Sequence, residues 1–166
     1  HRGVRVVGRE ALEASIDPAP GGLTIGVSHE GGTRATLLAL LAAREAGQKT
    51  ALITANDKGA VREGADSTLV TPVMDRSWCH TVAYLSAMAA GAVIAGHISG
   101  KGLDAGALSA HLGECRALQP QVIEGARKLR GIERLIVVGG GYDRIAADEL
   151  ALKVEEGTHI PSDRKS

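Results

Sequence analysis

The sequence predicts an α/β fold, a three-layer, doubly wound parallel sheet with helices on both faces. Short apolar runs alternate with helical patterns along the chain, as in βαβ crossovers. The apolar residues are mainly Leu, Val, Ile and Ala, with one Trp, two Tyr and no Phe, which suits tightly packed α/β layers. At residues 23–47 an apolar run, a polar glycine-bearing turn and a helical pattern follow one another, and the other elements are organised around this unit.

The N-terminal part predicts two strands and two helices. Residues 3–7 contain valines and predict a first strand, and residues 9–15 predict a short helix. Residues 17–22 are rich in Pro and Gly, which indicates a connector. The apolar run 23–27 predicts a buried strand. A helix is expected over residues 33–47, because leucines recur there with helical spacing and a glycine closes the segment.

The middle of the chain predicts two more strands and a long helix. Residues 50–54 and 67–71 have the composition of strands, and residues 60–64 form at most a helical turn. Residues 80–96 predict a helix with many Ala and Gly residues. Small side chains allow another helix to approach closely, either from a second copy of the chain or from the same domain.

The C-terminal part predicts three helices and one strand. Helices are expected over residues 101–118 and 120–130, with Pro120 in a first turn, where proline is well tolerated. Residues 133–138 predict a strand. Three glycines follow and lead into a helix over residues 142–155, and the chain from residue 157 predicts a loop.

Composition excludes several function classes. The 166 residues carry 19 basic and 19 acidic side chains, and this zero net charge argues against non-specific nucleic-acid binding, which needs a basic surface. The two cysteines form no metal-ligand spacing or disulfide framework, and we expect a reduced, cytoplasmic setting without a signal peptide. The apolar run 82–95 is shorter than a membrane span requires. It predicts a buried helix and no membrane partner.

The polar turn at residues 28–33 is the first candidate site. A helix N-terminus after a strand presents backbone N–H groups and partial positive charge, which attract anionic ligands. Ser28 and Thr33 could contact such a ligand, or could close the turn and cap the helix. His29 and Glu30 lie in the same turn, either as solvated loop residues or as substrate contacts.

Glu149 is the candidate base. On a helix it shares a face with Ile145 and Leu152, and an apolar environment would raise the pKa of its carboxyl towards neutrality. Such a group can act as a general base. The alternative is an exposed ion pair with Lys153, which lies four residues further along the helix.

Several segments resemble the sugar isomerase (SIS) domain family. The turn S-H-E-G-G-T at residues 28–33 resembles the S-x-S-G-x-T loop that holds the phosphate of a phosphosugar in this family, with Glu30 in place of the second serine. Residues 51–56 resemble the family's strand that ends in I-T-N, and residues 72–84 resemble its G-P-E-x-x-x-x-S-T-K-A-F segment. Residues 139–156 resemble the family segment that carries the proton-transferring base of the isomerase domain of glucosamine-6-phosphate synthase.

The resemblance implies a flavodoxin-like SIS fold and a phosphosugar or amino-sugar isomerase that works through an enediol. Glu149 takes the position of the base, Asp75 that of the family Glu, and Thr81 matches, while His80 replaces a serine. The substrate-binding set that follows is Ser28, His29, Glu30, Gly31, Thr33, Asp75, His80 and Thr81. No metal or organic cofactor is implied.

The resemblance also implies an organisation and a partner. It divides the chain into a first SIS domain at residues 1–130, apparently without its first strand, and the opening of a second at 131–166, so that the chain could be incomplete. SIS proteins usually form homodimers or homotetramers. The rival interpretation is a non-catalytic sugar-binding regulator or sensor, and a nucleotide-binding domain of flavodoxin-like build is a third.

Overall fold

The computed structural model describes residues 5–159 and 162–164, which divide into two units. The first unit consists of residues 5–76 and 80–95. The second consists of residues 77–79 with the described part of the chain from residue 96 onwards. The division into two SIS domains at residue 130 stays a prediction.

The first unit is built on a parallel sheet with the strand order β1 (Leu23–Val27), β2 (Lys49–Thr54), β3 (Ser67–Val70). Gly26 lies opposite Leu52 in the β1–β2 ladder. Both ladders are parallel, and helices flank the sheet, so the predicted α/β fold class is confirmed. The three strands were predicted within one residue of their ends.

Helix α2 (Arg34–Glu45) packs on one face of this sheet, and helix α1 (Ala11–Ile16) packs against α2. A 3₁₀ helix at Ala60–Gly64 crosses from β2 to β3, as the sequence predicts. Leu40, Leu52 and Val61 are fully buried in the core between these elements. Burying each of these side chains contributes on the order of 1.5–3 kcal/mol to the free energy of unfolding.

Helix α3 (Thr81–Ser99) begins on the other face of the sheet. Ala83 and Ala87 line a cavity of about 20 Å³ together with Val27 and Ile53 of the strands. The prediction of a buried helix is wrong for most of α3, because only Ala83 and Ala90 are buried among its residues. By length and apolar composition alone this helix could cross a membrane, and a helix that other protein surfaces cover has the same composition.

The second unit contains a short parallel pair and three helices. Strands β4 (Leu135–Val137) and β5 (Ser162–Arg164) pair in parallel, and the helix between them packs against both. Ala147 and Ala151 of that helix are buried. The helices are α4 (Ala105–Ala117), α5 (Gln119–Lys128) and α6 (Asp143–Thr158).

Two predicted elements differ from the structure at the ends of the chain. In the described part of the predicted strand 3–7, residues 5–7 form no strand, and Val6 and Val7 are exposed because no described strand pairs with them. The loop expected from residue 157 is also wrong, since α6 continues to Thr158 and residues 162–164 form β5. That strand pairs with a segment far away in sequence, which local periodicity does not reveal.

Candidate functional site

The turn between β1 and α2 is a tight loop closed by its own polar groups. The backbone N–H of Gly31 donates to the carbonyl of Ser28 over 3.1 Å. The buried hydroxyl of Ser28 donates to the Oγ1 atom of Thr33 over 3.0 Å. The predicted residues Ser28, Gly31 and Thr33 therefore lie together at the carboxyl end of a parallel strand, where α/β sheets bind ligands.

The N-terminus of α2 has no side-chain cap. Thr33 occupies the N-cap position with an extended backbone, but its side chain makes no capping hydrogen bond, and the first turn has no acidic residue. The alternative that Thr33 caps the helix is therefore wrong; its hydroxyl is bonded to Ser28 instead. Backbone N–H groups in the first turn of a helix have no intrahelical acceptors, so this end can bind an anion.

Two residues that the site prediction did not include hold the loop in place. The Oγ1 atom of Thr54 donates to the carbonyl of His29 over 3.1 Å. The side-chain amide of Asn56 donates to the carbonyl of Glu30 over 3.0 Å. Thr54 is the last residue of β2 and Asn56 follows two residues later. Both belong to the segment that resembles the family's I-T-N strand end, and that resemblance was the available signal.

Gly31 is required by the shape of the loop. Its φ angle is +69°, which side chains other than glycine rarely adopt, and a Cβ atom would lie 2.7 Å from the carbonyl oxygen of Asn56. A Cβ atom on Gly59 would collide with the backbone of Gly31. The backbones of the two loops that follow β1 and β2 thus approach each other so closely that both positions exclude a side chain.

His29 connects this loop to the segment that precedes α3. The backbone N–H of Asp75 donates to the Nε2 atom of His29 over 2.8 Å. Nε2 also lies 3.3 Å from the carbonyl oxygen of Asp75, so it is next to both the N–H and the C=O group of that residue. The ring of His29 also lies edge-on to that of His80, with centroids 5.4 Å apart. The backbone of His80 is left-handed, with φ at 47°, an uncommon conformation outside glycine.

Asp75 caps α3. Its side chain is buried, and its Oδ2 atom accepts hydrogen bonds from the backbone N–H groups of Val82 at 2.8 Å and Ala83 at 3.1 Å. A carboxylate at a helix N-terminus is stabilised by the helix dipole. Thr81, the first residue of this helix, is exposed. The predicted contact between Asp75 and substrate stays a prediction, and one carboxylate oxygen is already committed to the helix.

The first unit thus brings all the predicted substrate-binding residues to one end of its sheet. The loop after β1 supplies five of them, and Glu30 is the exposed carboxylate among these. The hydrogen bond from Asp75 and the ring contact with His80 join the loop to the start of α3. Within residues 5–159 and 162–164, no three His, Cys, Asp or Glu side chains converge as metal ligands do.

Glu149 lies on α6 in the second unit. Its Oε1 atom is 3.4 Å from the Nζ atom of Lys153, whose ammonium also contacts Glu156 at 2.9 Å. Burial alone would lower the pKa of Lys153, but the hydrogen bond with Glu156 and the charge of Glu149 outweigh it and raise that pKa above its ordinary value of 10.5. Ile145, expected to form an apolar stripe with Glu149, is 60% exposed.

Glu149 therefore forms the alternative ion pair with Lys153. The pair is not fully exposed to solvent, since the side chains of Glu149 and Lys153 are only 22% and 19% exposed. The geometry of α6 is compatible with both the catalytic and the structural interpretation of Glu149.

Solved structures share this fold. Glucosamine-6-phosphate deaminase from Thermotoga maritima is 22% identical, with a TM-score of 0.68 over 94% of this chain and 50% of its own. A protein from Clostridium difficile 630 assigned as a phosphosugar isomerase is 24% identical, with a TM-score of 0.62 over 84% of this chain and 44% of its own. The chain thus spans about half the length of either protein. No family model and no curated protein sequence matches the chain. The likeness confirms a fold of the kind seen in sugar-phosphate proteins.

Proposed function

We propose that the chain binds a phosphosugar or an amino-sugar derivative at the loop 28–33, with the anionic group at the N-terminus of α2. The observation that carries the proposal is the uncapped N-terminus of that helix. The hydroxyl of Thr33 accepts a hydrogen bond from Ser28 and does not cap the helix, so the first-turn N–H groups have no side-chain acceptor. Fold neighbours whose names refer to phosphosugars support the same class of ligand.

The other polar groups of the loop 28–33 suit a carbohydrate. His29 and the loop hydroxyls offer donors and acceptors to sugar hydroxyl groups. Exposed Glu30 would repel a phosphate placed beside it, but it would attract the ammonium group of an amino sugar. Among phosphosugars, we therefore expect a preference for hexosamine phosphates over hexose phosphates.

A substitution test examines the anion site. Thr33→Val removes one hydroxyl and conserves shape, so the Kd for hexosamine 6-phosphate measured by calorimetry should rise at least about tenfold. Thr68→Val is the matched control, because the buried hydroxyl of Thr68 has no hydrogen-bond partner among the described residues. Equal affinity for the phosphorylated and unphosphorylated amino sugar would contradict phosphate recognition.

We further propose that Glu149 is the base of an aldose–ketose isomerisation. It would remove the proton from C2 of the open-chain aldose and return it to C1, while a second proton leaves O2 and one is taken up by O1, so that the aldose passes through the enediol to the ketose. General base catalysis of this kind contributes about 10²–10⁴-fold to the rate. The ammonium of Lys153, 3.4 Å away, would keep a positive charge beside the carboxylate in the ground state.

The test of Glu149 uses proton exchange as well as turnover. Glu149→Gln should abolish both ketose formation and the exchange of the C2 proton in deuterated water, and should leave the Kd within about twofold. Glu156→Gln is the control, because Glu156 contacts the same Lys153 at 2.9 Å. If both variants lose activity alike, the role of Glu149 is to hold Lys153.

A non-catalytic sugar sensor is the second candidate. The ion pair that Glu149 forms with Lys153 favours it, because an engaged carboxylate needs no catalytic role to explain its position. Under this proposal, sugar phosphates raise the melting temperature of the wild-type protein, while no proton exchange at C2 is detected. We likewise propose that the chain assembles into a homodimer or homotetramer, is cytoplasmic and is divided into two SIS domains.

A further inference from the structure

One ring nitrogen of His29 lies within reach of two backbone groups of Asp75. The N–H group of Asp75 is 2.8 Å from Nε2, and the carbonyl oxygen of Asp75 is 3.3 Å from it. An unprotonated Nε2 accepts a hydrogen bond from the N–H group, whereas a protonated Nε2 can only donate, and then the carbonyl is its partner. The same nitrogen therefore has a different backbone partner in each of its two protonation states.

The two states do not fit the same geometry. A proton on Nε2 would face the proton of the Asp75 N–H group across a separation of 2.8 Å. The carbonyl oxygen, at 3.3 Å, lies beyond the usual N–H···O length of about 2.7–3.2 Å. The observed positions thus suit an unprotonated Nε2, and protonation requires His29 and Asp75 to move relative to each other.

His29 and Asp75 are each fixed to a different part of the first unit. The carbonyl of His29 accepts a hydrogen bond from Thr54 at the end of β2 over 3.1 Å. The buried carboxylate of Asp75 accepts from two backbone N–H groups at the start of α3. A movement between His29 and Asp75 therefore changes how the loop 28–33 is connected to α3.

The charged groups around His29 come from several elements. Buried Asp75 favours a positive charge on the ring, while the N-termini of α2 and α3 oppose it. The ring of His80, 5.4 Å away between centroids, also opposes it when that ring is protonated. Helix α3 contributes no Asp, Glu, Lys or Arg. The remaining charged side chains on these elements are exposed and screened by solvent, namely Glu30, Arg34, Asp57, Lys58 and Arg76.

We propose that His29 is a pH-sensitive switch between the loop 28–33 and the start of α3. In the neutral ring Nε2 is unprotonated and accepts from Asp75, which holds the loop and the helix together. Imidazole is the side chain that changes charge between about pH 5 and 8, so acidification in this range protonates Nε2 and breaks the hydrogen bond. Residues 71–76 then separate from the loop. The switch itself needs no ligand, and only its effect on sugar binding rests on the proposed function.

Nuclear magnetic resonance of the nitrogen-15-labelled 166-residue chain tests the switch without any sugar. At about pH 8 the ring nitrogens of His29 should show an unprotonated Nε2 and a proton on Nδ1. As the pH falls to about 5, the ring should become charged. The protection of the Asp75 amide against hydrogen exchange, corrected for the intrinsic rate at each pH, should fall at least about tenfold with the same midpoint.

Two substitutions are the controls. His29→Gln places an amide oxygen where it can accept from the N–H of Asp75, and this group does not titrate. The variant should therefore keep the protection of the Asp75 amide over the whole pH range. His80→Gln removes the neighbouring imidazole and should leave the transition of His29 in place.

The effect on the proposed sugar site is measured as a ratio, because a phosphate monoester itself titrates near pH 6. The Kd of the wild-type chain for hexosamine 6-phosphate is divided by that of His29→Gln, which cancels the titration of the ligand. This ratio should be about 1 at about pH 8 and should rise at least about threefold at about pH 5.5, since the loop loses its connection to α3. If neither protein binds the sugar, the proposed function fails, and the resonance experiment still decides about the switch.

Four results would overturn the switch. A proton on Nε2 at about pH 8 would mean that the neutral ring donates to the carbonyl of Asp75. A ring that stays neutral down to about pH 5 would exclude switching in this range. Constant protection of the Asp75 amide while His29 becomes charged would show that the hydrogen bond does not hold the two segments together. A transition that persists in His29→Gln, or disappears in His80→Gln, would assign it to another group.

Discussion

The backbone N–H of Asp75 donates a hydrogen bond to the Nε2 atom of His29 over 2.8 Å, which joins residues 46 positions apart. One partner lies in the loop that precedes α2, and the other caps α3 through its carboxylate. Two helix N-termini are thereby held at the same end of the sheet. A substitution of His29 should therefore affect both the loop and the start of α3.

Replacing His29 tests this coupling. His29→Ala leaves the part-buried N–H of Asp75 without its acceptor, and the free energy of unfolding should fall by about 1–3 kcal/mol. Urea unfolding measures the change. Glu30→Ala, at the exposed neighbouring position, is the control and should change stability by less than about 0.5 kcal/mol. Similar losses in the two variants would mean that the hydrogen bond contributes nothing specific.

The two adjacent glycines of the loop should respond differently to alanine. Gly31→Ala requires an unfavourable φ of +69° and a contact of 2.7 Å with Asn56, so we expect destabilisation by more than about 1 kcal/mol and weaker sugar binding. Gly32→Ala meets no atom within 4 Å and should preserve both. Thermal unfolding and calorimetric titration of both variants provide the comparison. A harmless Gly31→Ala would mean that the loop adopts another conformation.

The lowered pKa of Asp66 makes the stability of the fold depend on pH. A hydrogen bond from the backbone N–H of Thr50, reinforced by the hydroxyl of Thr50 and by the charges of Arg44 and Lys49, holds the pKa of Asp66 below its ordinary value of 3.8. A carboxyl with a lowered folded-state pKa stabilises the fold above its unfolded-state pKa. That contribution is lost as the pH falls through the folded-state value.

Asp66→Asn should therefore lower the urea midpoint at pH 7, and the difference from wild type should shrink once the pH falls below about 3.8. Midpoints measured from pH 7 down to pH 2 check this expectation. Asp57→Asn, at an exposed loop carboxylate, controls for the loss of one negative charge. A difference that stays constant across this range would exclude the titration of Asp66 as its cause.

The exposed apolar surface of α3 predicts self-association. Leu85 and Met88 are each 54% exposed and lie one turn apart, so they share a helix face. If the proposed dimer or tetramer forms through α3, the double variant Leu85→Lys/Met88→Lys should raise its dissociation constant at least about tenfold. Light scattering after size exclusion measures the mass against the 17.1 kDa of one chain.

Leu12→Lys on α1 is the matched control for that experiment, since Leu12 is also 54% exposed. An assembly that survives the α3 substitutions but is lost with Leu12→Lys would place the interface on α1. A wild-type chain that runs as a monomer at all concentrations would exclude this assembly.

The candidate site could be predicted only in part. The loop 28–33 and the residues at the start of α3 were identified from their similarity to a known family, and the structure brings them to one end of the sheet. The supporting roles of Thr54 and Asn56 were not predicted, because their hydrogen bonds go to backbone carbonyls of another loop. Every residue has a backbone carbonyl whatever its side chain, so a pattern of residue types does not reveal hydrogen bonds to backbone acceptors.

By itself the sequence determined the order and type of most elements, since the spacing of apolar residues and the positions of Gly and Pro act over a few neighbouring residues. Only the tertiary structure decided which segments meet. It paired β4 with β5, placed the Asp75 carboxylate on α3 and left most of α3 exposed. These outcomes depend on contacts between segments distant in the chain, whose energies depend on which partner is present rather than on local sequence.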